Sequence, residues 1–309
     1  MTDIPVSMPA PSSSVAAGPA RSGVGASRFK GAGNYLALIP FHAYVGLFLV
    51  LPTLFVVVGA FSDGNGQFTL DNFWTMFTTD VFIDSIIKSL QLAVITAILG
   101  AIGGGLLAWA VVRGDPQGLL RQLVIAASGV LAQFGGVMLA FAFLATFGFN
   151  GLVTVIIKNN LDVNLDMSWL YSMTGLAVVY TYFQIPLMVI IFLPSLDGLR
   201  QEWYDASASL GGGAWSFWRN VGGPILAPSF LGALLLLFTN AFSAYATAQA
   251  LISQGCVLIT QQIACQISSE VVLGQENVGK ALALGMIVIV SAVMAVYALI
   301  QRRASRWVK

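Results

Sequence analysis

Charge is what this sequence has least of. Only 9% of its 309 residues are Asp, Glu, Lys or Arg, while 57% are apolar; soluble domains carry roughly 25% charged residues. That balance excludes a soluble globular domain and indicates an integral membrane protein. The few basic residues form no dense patch away from the apolar runs, which argues against nucleic-acid binding. Histidine is almost missing. His42 is the single one, so neither a metal centre nor a Ser-His-Asp or Cys-His arrangement can be built around it. Asp, Glu, Lys and Arg are also missing from the interior of every long apolar run. A charge there costs roughly 2.5–3.5 kcal/mol and marks proton or ion relays, so an ion-coupled carrier lacks its machinery.

What the chain does have is length in its apolar runs. A bilayer core needs about 20 apolar residues in helical form. Six stretches qualify, over 35–61, 85–112, 123–147, 174–192, 225–252 and 281–300. The sequence therefore predicts an all-α membrane protein with six transmembrane helices. Residues 1–33 are rich in Pro, Ser, Ala and Gly, without apolar periodicity, and read as a disordered tail. The first apolar run is too long for the core of a secretory signal and is expected to remain as a span.

Orientation follows from Lys and Arg. With the N-terminus inside, Arg21, Arg28, Lys30, Arg113, Arg121, Arg200, Arg219, Arg302, Arg303, Arg306 and Lys309 all fall on the cytoplasmic side. Only Lys88, Lys158 and Lys280 fall outside, together with most acids. Both termini are then cytoplasmic, with the chain in the cell membrane.

The longest polar interruption on the cytoplasmic side is 201–228, QEWYDASASLGGGAWSFWRNVGGPILAP. Glu202 and Asp205 sit among Trp203, Tyr204, Ala206, Ala208 and Leu210, a mixture that suits a short helix at a membrane edge or against a partner. Gly211, Gly212 and Gly213 end it. Trp215, Phe217 and Trp218 follow at headgroup depth, and Pro224 and Pro228 open the next span. The order of Asp205, Ala206, Ser207, Gly211, Trp215, Trp218, Val221, Pro224 and Pro228 resembles the EAA loop, the signature of the membrane subunits of type I ABC importers. Three positions depart from the family pattern: Asp205 replaces Glu, Ser207 replaces the second Ala, and Gly223 replaces the Leu before the first Pro.

The resemblance covers nearly the whole chain after the tail. It implies a six-helix permease domain over 34–309 with a coupling loop at 198–224, and no cofactor of its own. Glu202, Asp205, Ala206, Ser207, Leu210, Gly211 and Trp215 would then meet an ATP-binding ABC subunit. It also implies two such ATPases, a second permease chain and an extracytoplasmic solute-binding protein. Within the family, AFSAYATAQALIS and QENVGKALALGMIVIV look most like permeases for polyamines and related small solutes; sugar and glycerol-phosphate permeases are the close alternative. A stand-alone carrier would need a buried acid or an inverted repeat, and a membrane-embedded enzyme would need convergent catalytic groups. Neither set is present in the sequence.

Uncharged polar residues within the runs are the candidates for pathway lining. The fifth run places Thr239, Ser243 and Thr247 on one face of a continuous helix, with Asn240 and Tyr245 beside it. Gln133 in the third run and Gln184 in the fourth complete the set; glue between helices is the competing role for each. Gly100, Gly103, Gly104 and Gly105 in the second run read as a helix-packing stripe. Cys256 and Cys265, in the outer segment between the last two runs, are expected to form a disulfide. Residues 274–280 match the start of a phosphate-binding loop, but Ala281 stands where Ser or Thr must hold the metal, and no strand precedes.

Overall fold

The computed structural model describes residues 39–115, 117–161, 166–252, 255–268 and 276–304. The predicted tail, 1–33, lies outside them. Helix α1 (Ile39–Ala60) contains a π-turn at Gly46–Val50, just before Pro52 removes one backbone donor. Residues 39–52 belong to a unit of their own, and the rest forms the main body.

The body is helical throughout. Its elements are α2 (Asp71–Thr78), α3 (Asp80–Val112), α4 (Leu119–Gln133), α5 (Gly136–Phe147), α6 (Leu152–Leu161), α7 (Met173–Asp197), α8 (Gln201–Ser209), α9 (Ala214–Ser243), α10 (Ala246–Leu251), α11 (Ile259–Ser268) and α12 (Glu276–Ala304). Six stretches of the described residues are long and apolar enough to cross a membrane: Ile39–Ala60, Asp80–Val112, Gly136–Asn160, Met173–Asp197, Ala214–Ser243 and Glu276–Leu299. The chain is a multi-pass membrane protein.

The core of the body is the packing of α3 on α7, with α9 against both. Small residues make it close. A Cβ on Gly100 would sit 2.5 Å from the Gln184 Cβ, and one on Gly104 would sit 2.5 Å from the Ile185 carbonyl oxygen. The glycines four apart therefore let two backbones touch, where lipid provides no hydrophobic drive for association. Gly105 does not share this role, since a Cβ there meets nothing closer than 3.5 Å.

Two predicted spans are corrected. The run 123–147 is interrupted at Phe134–Gly135, with Gly136 at φ +66°, so α4 and α5 are separate helices. The run 225–252 is interrupted at Ala244–Tyr245, where Ala244 takes an extended conformation. The two interruptions meet: Thr247 donates its hydroxyl to the Gly136 carbonyl at 3.1 Å. Tyr180 of α7 donates to the freed Ala244 carbonyl at 3.0 Å, and Thr260 reaches the same oxygen at 3.4 Å. Side chains from neighbouring helices thus take over backbone bonds that the breaks release. The expectation of one Thr239–Ser243–Thr247 face fails for this reason, because Thr247 lies beyond the break.

Candidate functional site

One end of the body is assembled from the segments that join α3 to α4 and α7 to α9. Arg121 of α4 and Asp197 at the end of α7 pair at 2.5 Å, which ties these segments together. On the opposite end, Asn277 of α12 donates to the Asp63 carbonyl at 3.0 Å. The first end carries Arg113, Arg121, Arg200 and Arg219.

Helix α8 forms because Ala, Ser and polar residues follow an extended Arg200, with Glu202 in the first turn where the helix dipole favours an acid. It stops in a Schellman motif. The Gly212 amide donates to the Ser207 carbonyl and the Gly211 amide to the Ala208 carbonyl, both at 2.9 Å. Gly211 itself has φ +78°, the left-handed conformation that this motif puts after the cap residue. The stop is a single defined turn, sharper than the flexible run that three glycines suggest.

The exposed face of α8 is unusual for its chemistry. Glu202, Asp205 and Ala206 are exposed. Leu210 is 90% and Trp215 is 78% exposed, although both are large and apolar. Gln201 steadies Asp205 by donating to its carboxylate at 3.2 Å. The opposite face is anchored: Tyr204 packs edge-on against buried Phe217, ring centroids 5.3 Å apart. Between helix and body lies a cleft of about 500 Å³, bordered by Trp203, Ser207, Leu210, Ser216 and Asn220. A short helix thus rests on an aromatic contact and offers two carboxylates, a Leu and a Trp outward, an exposed apolar surface rimmed by charge.

The polar residues of the spans divide. Gln184 is fully buried and donates to the Leu237 carbonyl at 2.8 Å, and Thr247 is buried at the junction of the breaks. Both serve contacts between helices. Thr239 is half-buried and donates to Leu235 within its own helix. Gln133 at the end of α4, Asn240 and Ser243 at the end of α9, and Tyr245 in the break are exposed. The structure thus gathers four of the seven lining candidates around one pair of broken helices.

Cys256 and Cys265 are joined as a disulfide, Cα atoms 6.7 Å apart. Sequence reading treated this segment as a loop and missed α11. Gln261 and Gln262 organise it: the Gln261 carbonyl oxygen accepts the amides of Val257 and Leu258, its NH₂ donates to the Ile252 carbonyl, and Gln262 donates to the Cys256 carbonyl. Two adjacent glutamines in an apolar chain were the available signal. The phosphate-loop lookalike begins outside the described residues; its Lys280 lies within α12 and donates to Asn277. Among the described residues no cluster of His, Cys, Asp and Glu could hold a metal ion.

The fold is that of the permease subunits of ABC importers. It superposes on a bacterial ABC transporter involved in import of the acidic polysaccharide alginate, with TM-score 0.69 over 88% of this chain and 96% of that one at 15% identity. It also superposes on an inward-facing MetNI methionine ABC transporter, with TM-score 0.52 over 76% and 99% at 13% identity. No protein-family model matches the chain.

Its curated relatives are permease components of transport systems, not enzymes. The Escherichia coli sulfate transport system permease protein CysT is 25% identical over 65% of this chain and 69% of its own length. The probable starch degradation products permease AmyD of Thermoanaerobacterium thermosulfurigenes is 24% identical over 85% and 91%. The sulfate permease CysW of Synechococcus elongatus is 24% identical over 57% of this chain, and the match spans 58% of that relative.

Proposed function

We propose that this chain is the membrane-spanning permease subunit of an ATP-driven importer for a small solute. The observation that carries the reading is α8: an acidic, exposed, Schellman-capped helix between two spans, on the end of the body rich in arginine. In this reading that end and both termini are cytoplasmic, as the positive-inside rule expects. Glu202, Asp205, Ala206, Ser207, Leu210, Gly211 and Trp215 then dock on an ATP-binding subunit. The proposed division of the chain is a tail over 1–33 and a permease domain over 34–309.

ATP hydrolysis belongs to that separate subunit. Two ATPases, a second permease chain and an extracytoplasmic solute-binding protein complete the machine; one alginate transporter structure includes a pentasaccharide-bound periplasmic protein. ATP binds the closed ATPase pair better than the open one, and that difference in affinity moves the two docked helices together and switches the permeases. Gln133, Asn240, Ser243 and Tyr245, at the broken helices, line half of the pathway. Discontinuous helices are where transporters place polar backbone and side chains at membrane depth.

For the solute, two classes compete. The polyamine-type likeness has no counterpart among the relatives named above. A sugar is favoured by AmyD, matched over 85% of this chain and 91% of its own length, and by a lining of amides and hydroxyls without a carboxylate to hold a polycation.

The test is affinity purification from mild-detergent membranes followed by mass spectrometry. An ATP-binding subunit, a second six-span chain and a solute-binding protein should accompany the chain, and Asp205→Arg should release the ATPase while the protein stays inserted. Solitary purification with undiminished uptake would return the chain to the carriers.

A further inference from the structure

An apolar groove of about 440 Å³ runs between α3, α7 and α9. Gly105, Trp109, Phe192, Trp218, Leu226 and Phe230 line it, and its only hydrogen-bonding side chains are the two indoles. Along α3 it extends from Ala101 to Trp109, roughly 12 Å at 1.5 Å per residue. Its rim is open, since Ile102 and Leu106 are 53% and 60% exposed. The groove exists because position 105 has no side chain. A Cβ there would meet Phe230 at 3.5 Å and Met188 at 3.9 Å, both ordinary contacts.

One end is charged. The Arg113 guanidinium lies 3.9 Å from the centre of the Trp109 ring. Arg219 follows Trp218 in sequence and is exposed. Among the described residues the ion pairs are Lys88–Asp84 and Arg121–Asp197, so neither Arg113 nor Arg219 has a carboxylate partner. The nearby Asp115 carboxylate accepts the Gln117 amide. An apolar slot closed by tryptophans, with unpaired arginine at its mouth, matches one kind of molecule: an acyl chain below an anionic phosphate. Another apolar helix would fill the slot but strip the arginines of water without compensation.

We propose that this groove binds an anionic phospholipid, with an acyl chain along Ala101–Trp109 and the headgroup phosphate on Arg113. Basic pockets between membrane helices on the cytoplasmic side are sites of this type. The assignment to the inner leaflet rests on the orientation given under the proposed function; the binding chemistry does not.

The experiment uses the full chain purified in mild detergent, with phosphatidylglycerol or phosphatidylcholine of identical, brominated chains added back. Native mass spectrometry counts retained lipid, and quenching of tryptophan fluorescence reports contact. Phosphatidylglycerol should be retained roughly fivefold over phosphatidylcholine, the ratio that about 1 kcal/mol for one basic residue gives. Arg113→Gln should bring the ratio to about one. Gly105→Leu should remove retention of both lipids, and Gly105→Ala, which folds without a clash, should weaken it. Equal retention of the two headgroups by the unaltered protein, or retention unmoved by all three substitutions, would overturn the site. Co-purification of an ATPase in the same preparation reports separately on the importer reading.

Discussion

Gly211 is the residue on which the geometry of α8 turns, and its replacement can be worked through. Its φ of +78° puts it in the left-handed region, and a Cβ added there would find open space. The cost of Gly211→Ala is therefore conformational alone, about 1–2 kcal/mol for an ordinary residue. An energy of that size changes the population of the capped turn by a factor of about 5–30. Asn tolerates the same conformation through its short polar side chain, and Val, branched at Cβ, tolerates it least. ATP-driven uptake in membrane vesicles, normalised to inserted protein, should fall in the order Gly, Asn, Ala, Val. ATPase co-purification should fall with it. If Gly211→Val transported as well as the parent, the turn would have no part in coupling, and the reasoning from Gly211 would be refuted.

Other expectations follow from the packing. Gly104→Ala places a methyl 2.5 Å from the Ile185 carbonyl oxygen and should cost roughly 1–3 kcal/mol, whereas Gly105→Ala one residue on should leave the detergent melting temperature unchanged; equal effects would contradict the assigned faces. Gln184→Ala deletes the bond to Leu237 and opens a void beside Gly100. It should lower that temperature by several degrees, against no change if Gln184 served only the pathway. Peptides containing Cys256 and Cys265 should shift in mass only on reduction; alkylation of both thiols without reductant would rule the bridge out.

Much of this architecture was legible because membrane helices write themselves in composition. The number of spans and the place of four of them followed from apolar length, and the packing of Gly100 and Gly104 from their spacing. The helix breaks were less visible. Gly135–Gly136 is a local signal that an apolar run conceals. Ala244–Tyr245 has no local signal at all, since neither residue opposes a helix. That break is stabilised by Tyr180, sixty-four positions earlier, whose hydroxyl takes the Ala244 carbonyl. Periodicity sees one segment at a time, so it carried the Thr239–Ser243 face through a break that only tertiary contacts create. The loop over 201–228 was readable for the opposite reason: its helix, its cap and its exposed acids are all local.

A photo-crosslinking amino acid at position 210, where Leu210 is 90% exposed, tests the central claim most directly. In intact cells it should capture an ATP-binding subunit, and the same probe at the exposed Trp74, in the segment between the first two spans, should not. Capture from position 74 but not from 210 would contradict both the docking role of α8 and the orientation of the chain in the membrane.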